Sequence, residues 1–443
     1  MEYGIMDKWI NNLEELVKSD VIVCGGGPAG LAAALAAARN GAEVVLLEQS
    51  GALGGMASIG LVPMLAYTSD GVNITAAGVC MEIAGEVVAR MGIGQINPSW
   101  QSINPEIFKK VCDEKVTAAG INVYFSQKIA AVERDGDRVT AVAVAGPRGL
   151  KRITGKVFVD ATGDAAVSAF AGVPFECGDA TGKTMSPSLC VQYAGIDWDE
   201  YLSSEKAGRN YQKIWHELMD AGKAPLPERH FVGIFKTGPS VGTGNLGHIY
   251  GVNGINETDV TRGYIEGREI AGIIHRFFRE HVPGFRNSEL VNTASLLSVR
   301  ETRRITGDYC LNFKDYLRRA VFPDEIGRYS YPVDIHSSST DAEEQKRVED
   351  RMQETSYQSG ENYGIPYRAM LPKGISNLLV AGRSISCDRE VQSSLRVMPA
   401  CFITGQAAGT AAALSLSRQC ITRAVKTDQL RAAMRDKLGA YLP

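Results

Sequence analysis

Three glycines and one glutamate near the start of the chain have the types and spacing of a dinucleotide-binding site. Gly25, Gly27 and Gly30 form a GxGxxG motif between an apolar run and an Ala-rich stretch. In a strand–turn–helix, such glycines allow a sharp turn, close approach of a pyrophosphate to the helix N-terminus, and close helix–strand packing. Glu48 ends the next apolar run, where a carboxylate binds a ribose diol and disfavours the 2′-phosphate of NADP. We predict a dinucleotide site, with NAD and FAD both open.

The length and charge of the chain limit the classes of function that fit it. With 443 residues the chain has room for two or three domains. Its 47 basic and 50 acidic residues are interspersed, so no basic stripe for nucleic acid is present. No apolar run reaches membrane-spanning length, and the N-terminus lacks a secretory signal. We expect a small-molecule substrate and neither a nucleic-acid nor a membrane partner, and we leave a homo-oligomer open.

The nine cysteines are scattered, and none forms a CxxC pair. This spacing disfavours a redox-active disulfide, a zinc knuckle and an iron–sulfur cluster. An odd number of cysteines without an export signal is typical of free thiols in a reducing compartment. We expect a cytoplasmic protein without a bound metal.

The hydrophobic periodicity of the first half predicts alternating strands and helices. An N-terminal amphipathic helix is predicted from the spacing of Met6, Trp9, Ile10, Leu13, Leu16 and Val17. Further helices are predicted over 31–40, 79–91 and 105–119, the last beginning at Pro105. A small antiparallel meander is predicted from strands 121–126, 129–134, 138–145 and 151–154, followed by a separate buried strand over 156–160.

Residues 175–360 are less regular, and we predict that they form a second domain inserted into the first. Within them we expect strands over 188–193 and 231–235, a helix over 259–280, and a solvated, charged helix or loop over 341–351. The chain then returns to an apolar strand over 377–382 and a small-residue helix over 399–416. The nucleotide-binding domain is therefore expected to be discontinuous, formed by residues 1–174 and 361–443.

Several further motifs, taken in order, resemble the FAD-dependent oxidoreductase family of glutathione-reductase-like flavoproteins, which is related to heterodisulfide reductase A-like flavin domains. Besides GxGxxG and Glu48 these are Gly54-Gly55, VDATGD (159–164), RETRRI (300–305), YPVDIH (331–336), YGIPYR (363–368), NLLVAGRSIS (377–386) and SLRVMPACFITGQAAGTAAAL (394–414). The resemblance covers most of the chain and implies FAD as the cofactor. It also implies an α/β fold: a Rossmann-like FAD/NAD(P)-binding domain (a ββα sandwich with a small antiparallel meander) plus an inserted α+β substrate domain.

The resemblance implies a longer set of cofactor contacts than the glycine motif alone. Besides Gly25, Gly27, Gly30 and Glu48 it places at the FAD site Pro28, Ala29, Gln49, Gly54, Gly55, Met56, Ile129, Ala161, Thr162, Gly163, Gly382, Arg383, Arg396, Val397 and Met398. An FAD domain needs a second set of contacts for the isoalloxazine. We expect the N-terminus of the last small-residue helix, opened by Pro399, to face the flavin N1–C2=O edge and to stabilise negative charge there.

Flavin-dependent oxidation of a C–H bond needs a base for the accompanying proton, and His336 is the best candidate. It lies in the YPVDIH motif, and alternation in an extended segment puts it on the same side as Asp334. A buried structural histidine is an equally weighted alternative. His248 is the second candidate base, and a surface loop is its alternative.

Arg300 and Arg303 are candidates for binding a substrate carboxylate or facing the flavin pyrimidine. With Arg304 they surround Glu301, so the alternative is a salt-bridged helix joining two domains. Two departures from the resembled family are the absence of cysteine runs for iron–sulfur clusters and the presence of Arg389 where relatives often have histidine.

The sequence thus predicts an FAD-dependent oxidoreductase that transfers a hydride between a carbon of a small organic substrate and flavin N5. The alternative is a non-catalytic FAD-binding subunit that relays electrons in a heterodisulfide-reductase-like complex. The large inserted segment and the absence of cysteine clusters favour the enzyme.

Overall fold

A computed structural model describes residues 7–229 and 233–443. The strands in these residues are β1 (Glu15–Cys24), β2 (Val44–Leu47), β3 (Met64–Ala66), β4 (Trp100–Ser102), β5 (Asn122–Tyr124), β6 (Lys128–Asp135), β7 (Arg138–Gly146), β8 (Gly149–Asp160), β9 (Phe175–Cys177), β10 (Val191–Ala194), β11 (Gly233–Lys236), β12 (Gly242–Asn245), β13 (Glu289–Thr293), β14 (Arg303–Ile305), β15 (Glu325–Tyr329), β16 (Tyr363–Pro366) and β17 (Leu378–Val380).

The helices in the same residues are α1 (Asp7–Ile10), α2 (Pro28–Arg39), α3 (Val79–Arg90), α4 (Pro105–Ala118), α5 (Ala166–Phe170), α6 (Trp198–Lys206), α7 (Tyr211–Asp220), α8 (Glu257–His281), α9 (Phe313–Leu317), α10 (Ala342–Glu354), α11 (Arg389–Leu395), α12 (Met398–Ser417) and α13 (Thr427–Leu438). Among them no single helix is long and apolar enough to cross a membrane. By length and composition only α11 and α12 taken together would be, and their axes differ by 91°.

The central sheet has seven strands and changes character along the length of β8. Its order is β5-β2-β1-β8-β7-β6, with β17 also paired to β8. The first half of β8 pairs with β7 in the antiparallel meander, and its last three residues pair in parallel with β17. Strands β5, β2, β1, β8 and β17 are therefore parallel, and their carboxyl ends meet at one edge. This arrangement confirms the predicted α/β, Rossmann-like fold.

Helix α12 packs on α2 at backbone contact distance, as Gly405 and Gly409 allow. A Cβ added at Gly405 would lie 2.1 Å from the Ala29 carbonyl oxygen, and one at Gly409 would lie 2.0 Å from that of Ala33. Both helices are almost entirely buried. This contact fixes the last small-residue helix against the helix that begins at the glycine motif.

A second, four-stranded antiparallel sheet, in the order β11-β12-β10-β13, carries its own buried core. Its apolar residues include Tyr193, Trp215 and Phe278. The apolar residues between Ile305 and Val333 pack instead in the core of the parallel sheet. In this segment β14 pairs with β9, and β15 pairs with β16. The domain boundaries remain a prediction, and we propose that the inserted unit is shorter than 175–360, spanning about 178–302.

Several predicted elements differ in the structure. Leu16 and Val17 lie in β1, not in an N-terminal helix, because β1 extends back to pair with β8 from Glu15. Met6 of that predicted helix lies outside the described residues, and α1 ends at Ile10.

The predicted meander also needs correction at both of its ends. The segments predicted as strands 151–154 and 156–160 form one continuous strand, β8, since β1 pairs along both. Strand β5 pairs in parallel with β2 and lies outside the meander.

In the second half, Arg303 and Arg304 lie in the strand β14, so the helix that was the alternative for this segment is wrong. Pro399 is the second residue of α12, not the first. The predicted strand over 231–235 begins in the structure at Gly233, and its first two residues lie outside the described part of the chain. The charged segment 341–351 is helical, within α10.

The contact between α2 and α12 predicts that Gly409→Ala destabilises the fold. One methyl group at this position meets backbone that has no room to move, and overpacking of this kind costs about 1–3 kcal/mol. Gly85→Ala in α3 is the matched control, since its Cβ meets nothing within 4 Å. That change should stabilise the protein by about 0.5–1 kcal/mol through helix propensity. Chemical denaturation of both variants measures the difference, and equal stability would contradict the packing described here.

Candidate functional site

A cavity of about 460 Å³ opens at the carboxyl edge of the parallel strands. Its walls come from the segments that follow β1, β2, β8 and β17, because all four strands end at this edge. In open parallel sheets, ligands bind in the crevice beyond these carboxyl ends. The cavity is therefore the candidate binding site.

The glycine loop at one end of the cavity has the geometry that the motif predicts. Gly25 adopts a φ of +102°, and a Cβ there would lie 2.4 Å from the Ala161 carbonyl oxygen. A Cβ at Gly30 would lie 1.7 Å from the Gly25 carbonyl oxygen, so only glycine lets α2 begin this close to β1. Gly27 is the N-cap of α2, and a Cβ added to it meets nothing within 4 Å. Open space in front of a helix N-terminus fits a pyrophosphate.

Glu48 is buried beside this loop and holds its backbone. One carboxylate oxygen accepts a hydrogen bond of 2.7 Å from the Gly26 amide, and the other accepts one of 2.7 Å from the Ser50 amide. Each carboxylate oxygen can accept a second hydrogen bond, so Glu48 can still bind a ribose diol from the cavity wall that it lines. Gly54 supports the same loop from behind, since its amide donates to the Gly26 carbonyl over 2.8 Å.

Arg383 holds the turn after β8 at the middle of the cavity. Its guanidinium donates to the carbonyl oxygens of Gly163 and Val299, each over 2.7 Å, and to the Asp164 carboxylate over 2.8 Å. Three hydrogen bonds to two different segments fix the turn in one position. Arg383 thus acts on the site largely by positioning other groups.

Arg396 lines the cavity and lies two residues before α12 begins. One terminal nitrogen donates to both the carbonyl and the carboxylate of Asp334, each over 2.9 Å. Its buried Nε has no hydrogen-bond partner among the residues that the structure describes. A cation and the positive end of a helix dipole therefore face the cavity together.

Most of the residues predicted to bind the cofactor line this one cavity. They are Gly25, Gly27, Pro28, Ala29, Glu48, Gln49, Gly55, Met56, Ile129, Ala161, Thr162, Gly163, Gly382, Arg383, Arg396 and Met398. Gly30, Gly54 and Val397 lie behind the wall and do not line it. Their roles in binding remain predictions.

The inserted unit supplies a part of the wall that was not predicted from the sequence. The start of α8 and the segment before β14 add Ile255, Asn256, Val260, Leu296 and Leu297. Asn256 caps α8, its side chain accepting from the Asp259 amide over 3.0 Å. That cap is visible in the sequence, but nothing local indicates that the helix end faces a cavity formed by distant strands.

The two candidate bases, His248 and His336, are in contact with each other. His248 Nε2 lies 2.6 Å from His336 Nδ1, and both rings are buried. His336 Nε2 lies 3.3 Å from each oxygen of Asp334, as the predicted alternation of this segment requires. His248 Nδ1 lies 2.9 Å from each oxygen of Glu228. The surface-loop alternative for His248 is therefore wrong.

These four side chains form a row from Glu228 through the two histidines to Asp334, which binds Arg396 at the cavity wall. Neither histidine lines the large cavity itself. Glu228 was not predicted from the sequence, because it lies 20 residues from His248 in a segment without a motif. Nothing short of the tertiary fold identifies it.

Burial controls the charge of this region. It lowers the pKa of His336 well below 6.5, and the nearby Arg300 cation lowers it further. His336 is therefore neutral at pH 7. Burial, with Arg396 close by, lowers the pKa of Arg300 to about 10, so Arg300 keeps its charge at neutral pH.

The two predicted arginines occupy different places. Arg300 is buried behind the cavity and donates to the Ser186 carbonyl over 2.6 Å and to the Ser188 hydroxyl over 3.0 Å. Arg303 lines the cavity, donating to the Asp164 carbonyl over 3.0 Å, and its guanidinium lies over the Phe175 ring. Arg303 is thus the one of the two that a ligand in the cavity would meet.

The cysteines contribute no redox or metal site in the described part of the chain. All nine are free thiols, and the structure brings no three His, Cys, Asp or Glu side chains into a group that could hold a metal ion within these residues. Cys401, which lines the cavity, has its pKa raised to about 12 by burial and is protonated at neutral pH.

Comparison with known proteins identifies the family. The chain is 24% identical over 319 residues to the digeranylgeranylglycerophospholipid reductase of Methanosarcina acetivorans, covering 67% of this chain and 72% of that protein. It is 48% identical over 52 residues to the thiamine thiazole synthase of Aeropyrum pernix, covering 12% and 19% of the two chains. A solved geranylgeranyl bacteriochlorophyll reductase-like protein from Thermoplasma acidophilum aligns with a TM-score of 0.46 and 12% identity, over 95% of this chain and 84% of that chain. The sequence profile described as FAD dependent oxidoreductase matches residues 20–434, so the chain belongs to this family of FAD-binding enzymes.

Proposed function

We propose that the chain transfers a hydride between a carbon of a small organic substrate and FAD bound in the 460 Å³ cavity, with the proton exchanged at the His336–Asp334 pair. One observation carries the proposal: Arg396 lines the cavity, and its guanidinium binds Asp334, which forms a buried acid–base pair with His336. A redox cofactor and a positioned proton acceptor are the two parts that such a reaction needs.

The residues present fit FAD. The space in front of Gly27 fits its pyrophosphate, Glu48 has acceptor sites left for its ribose, and Arg396 with the start of α12 offers positive charge to its isoalloxazine. Bound FAD supplies the acceptor or donor of the hydride. The protein excludes water around it with the apolar residues that α8 and the segment before β14 add to the wall.

Asp334 links the cavity wall to the proton acceptor. Its carboxylate accepts hydrogen bonds from Arg396 over 2.9 Å and from the Tyr331 hydroxyl over 3.2 Å, and its amide donates to the Ser393 hydroxyl over 3.0 Å. These contacts hold the carboxylate beside His336. A proton can then move between His336 Nε2 and Asp334 without either side chain leaving its place.

Both reduction and oxidation of an organic substrate fit this site. The curated relative from Methanosarcina is named a reductase of a digeranylgeranyl lipid, and the apolar side of the cavity would suit an apolar substrate. Alcohol or amine oxidation uses the same parts. Nothing in the structure or the comparisons supports the alternative of an electron-relay subunit.

The cofactor assignment predicts that the purified protein is yellow and releases FAD when it is denatured. Chromatography of the supernatant after heat denaturation identifies the flavin and separates FAD from FMN. A colourless protein that also fails to take up added FAD would contradict the assignment.

The glycine loop predicts that Gly27→Val abolishes FAD binding while the fold stays intact. The valine side chain enters space that is open in the protein alone and that the pyrophosphate needs. Equilibrium dialysis with FAD measures the loss, and the thermal melting curve of the protein without FAD serves as the control for folding.

Glu48→Ala should weaken FAD binding without abolishing it. Loss of charge-assisted hydrogen bonds to the ribose costs about 1.5–3 kcal/mol, which is roughly a tenfold to hundredfold loss of affinity. Glu48→Gln is the matched variant, because it keeps an acceptor for the Gly26 amide and separates loop support from ribose binding. Equal, small effects at Gly27 and Glu48 would mean that the nucleotide lies elsewhere.

His336→Gln tests the proposed proton exchange. Glutamine has a similar size and keeps hydrogen-bonding groups, so FAD binding and the flavin spectrum should be unchanged. Reduction of the flavin by the substrate should slow by about 10²–10⁴-fold, the usual contribution of a positioned base. An anaerobic screen for compounds that bleach the flavin supplies the substrate, and stopped-flow reduction then measures the rate. A normal rate in a variant with a lowered melting temperature would indicate a structural histidine instead.

A further inference from the structure

Two further buried ionisable groups, His248 and Glu228, continue the row beyond the His336–Asp334 pair. His336 Nδ1 contacts His248 Nε2 over 2.6 Å, and His248 Nδ1 lies 2.9 Å from both oxygens of Glu228. His248 is also held from its backbone, since its amide donates to Glu228 over 2.8 Å. The proposed function uses only His336 and Asp334 of this row.

The contacts determine how many protons the two rings carry. A hydrogen bond to each carboxylate needs a proton on His248 Nδ1 and one on His336 Nε2, and the contact between the rings needs one more. Three protons on four ring nitrogens give the histidine pair one positive charge.

The neighbouring charges determine where this positive charge rests. The Arg300 cation disfavours charge on His336, whereas both oxygens of Glu228 face His248. The hydrogen bonds at the Glu228 end are also shorter than the 3.3 Å contact to Asp334. The resting arrangement is therefore an imidazolium at His248 and a neutral His336 with its proton on Nε2.

We propose that Glu228, His248, His336 and Asp334 form a proton relay that connects the flavin cavity to a small water-sized cavity under α10, with Glu228 as the residue that holds the resting proton on His248. This inference rests on the proposed function. In one direction the His248 Nε2–H bond breaks as a bond forms to His336 Nδ1, and the proton on His336 Nε2 passes to Asp334. The number of protons is unchanged, and one positive charge moves toward Arg396. The reverse steps carry a proton away.

The small cavity beside the relay has room for water. Its volume is about 30 Å³, and it is lined by Glu228, His248, His336 and Asp334 on one side and by α10 on the other. This volume exceeds the roughly 10–15 Å³ that a water molecule needs, and because most of the exposed lining is apolar, its polar partners would be the groups of the row. Within residues 7–229 and 233–443, the titratable groups that face the two histidines from the surrounding elements include Glu228, Tyr250, Arg300, Tyr331, Asp334, Glu349 and Arg396.

The test is a long-range ¹H–¹⁵N spectrum of the full-length FAD-bound protein labelled with ¹⁵N-histidine. At pH 7 we expect a single unprotonated nitrogen among the four of His248 and His336. Glu228→Gln removes the opposite charge, so the second proton of His248 should be lost with a tenfold to thousandfold drop in proton affinity. His275→Gln is the matched control, since the His275 ring contacts Ser288 outside the row. This substitution should remove the signals of His275 and leave those of the other histidines unchanged.

Two unprotonated nitrogens in the wild-type pair, or an unchanged spectrum in Glu228→Gln, would overturn the relay. Should Glu228→Gln fail to fold, His336→Gln provides the second measurement: the proton shared between the rings must disappear, while His248 keeps its proton toward Glu228. A second readout is the midpoint potential of bound FAD measured as a function of pH. The slope of this dependence should change at the pH where the histidine pair titrates. In Glu228→Gln this change of slope should be absent. Both measurements work without a substrate, so a failed relay with normal FAD binding leaves the proposed function standing.

Discussion

The site depends on backbone-to-backbone contact at three glycines that leave no room for a side chain. Gly30 lets α2 begin against the end of β1, and Gly405 and Gly409 let α12 lie directly on α2. Because α2 carries the glycine loop and α12 begins just after Arg396, this contact sets the distance between the two ends of the cavity. The separation that a long cofactor needs is thus fixed by rigid buried helices rather than by loops.

The protein buries charged groups near these two helices, with the cations close to the cavity and a carboxylate at the other end of the histidine row. Arg300, Arg396 and the N-terminus of α12 place positive charge near the cavity, and Asp334 partly neutralises it. Glu228 lies at the other end of the histidine row. Burying an ionised group is expensive unless it is paired and hydrogen-bonded, and each member of this row has such partners. A purely structural core would reach the same packing with apolar side chains at lower cost.

Local signals explain what could be predicted from the sequence. The strand–turn–helix at Gly25, the start of α4 at Pro105 and the small-residue helix α12 depend on residues within one or two turns of chain, and all three were predicted. Leu16 and Val17 fit either a helix or a strand by their apolar spacing, and pairing of β1 with β8 decided for the strand. The partners of His248 could not be predicted, because His336 lies 88 residues away and contact between them exists only in the folded chain.

The same charge gradient gives the relay a preferred direction. The cations beside the cavity repel a proton on Asp334 or His336, whereas the Glu228 carboxylate attracts one onto His248. Once a proton has left His248 for the small cavity under α10, a proton taken up by Asp334 can move outward through His336 to His248. The positive charge left at the cavity wall by Arg396 and α12 then stabilises negative charge that develops there during the reaction. Proton removal and charge stabilisation thus come from one arrangement of buried groups, which accounts for their being held together in the fold.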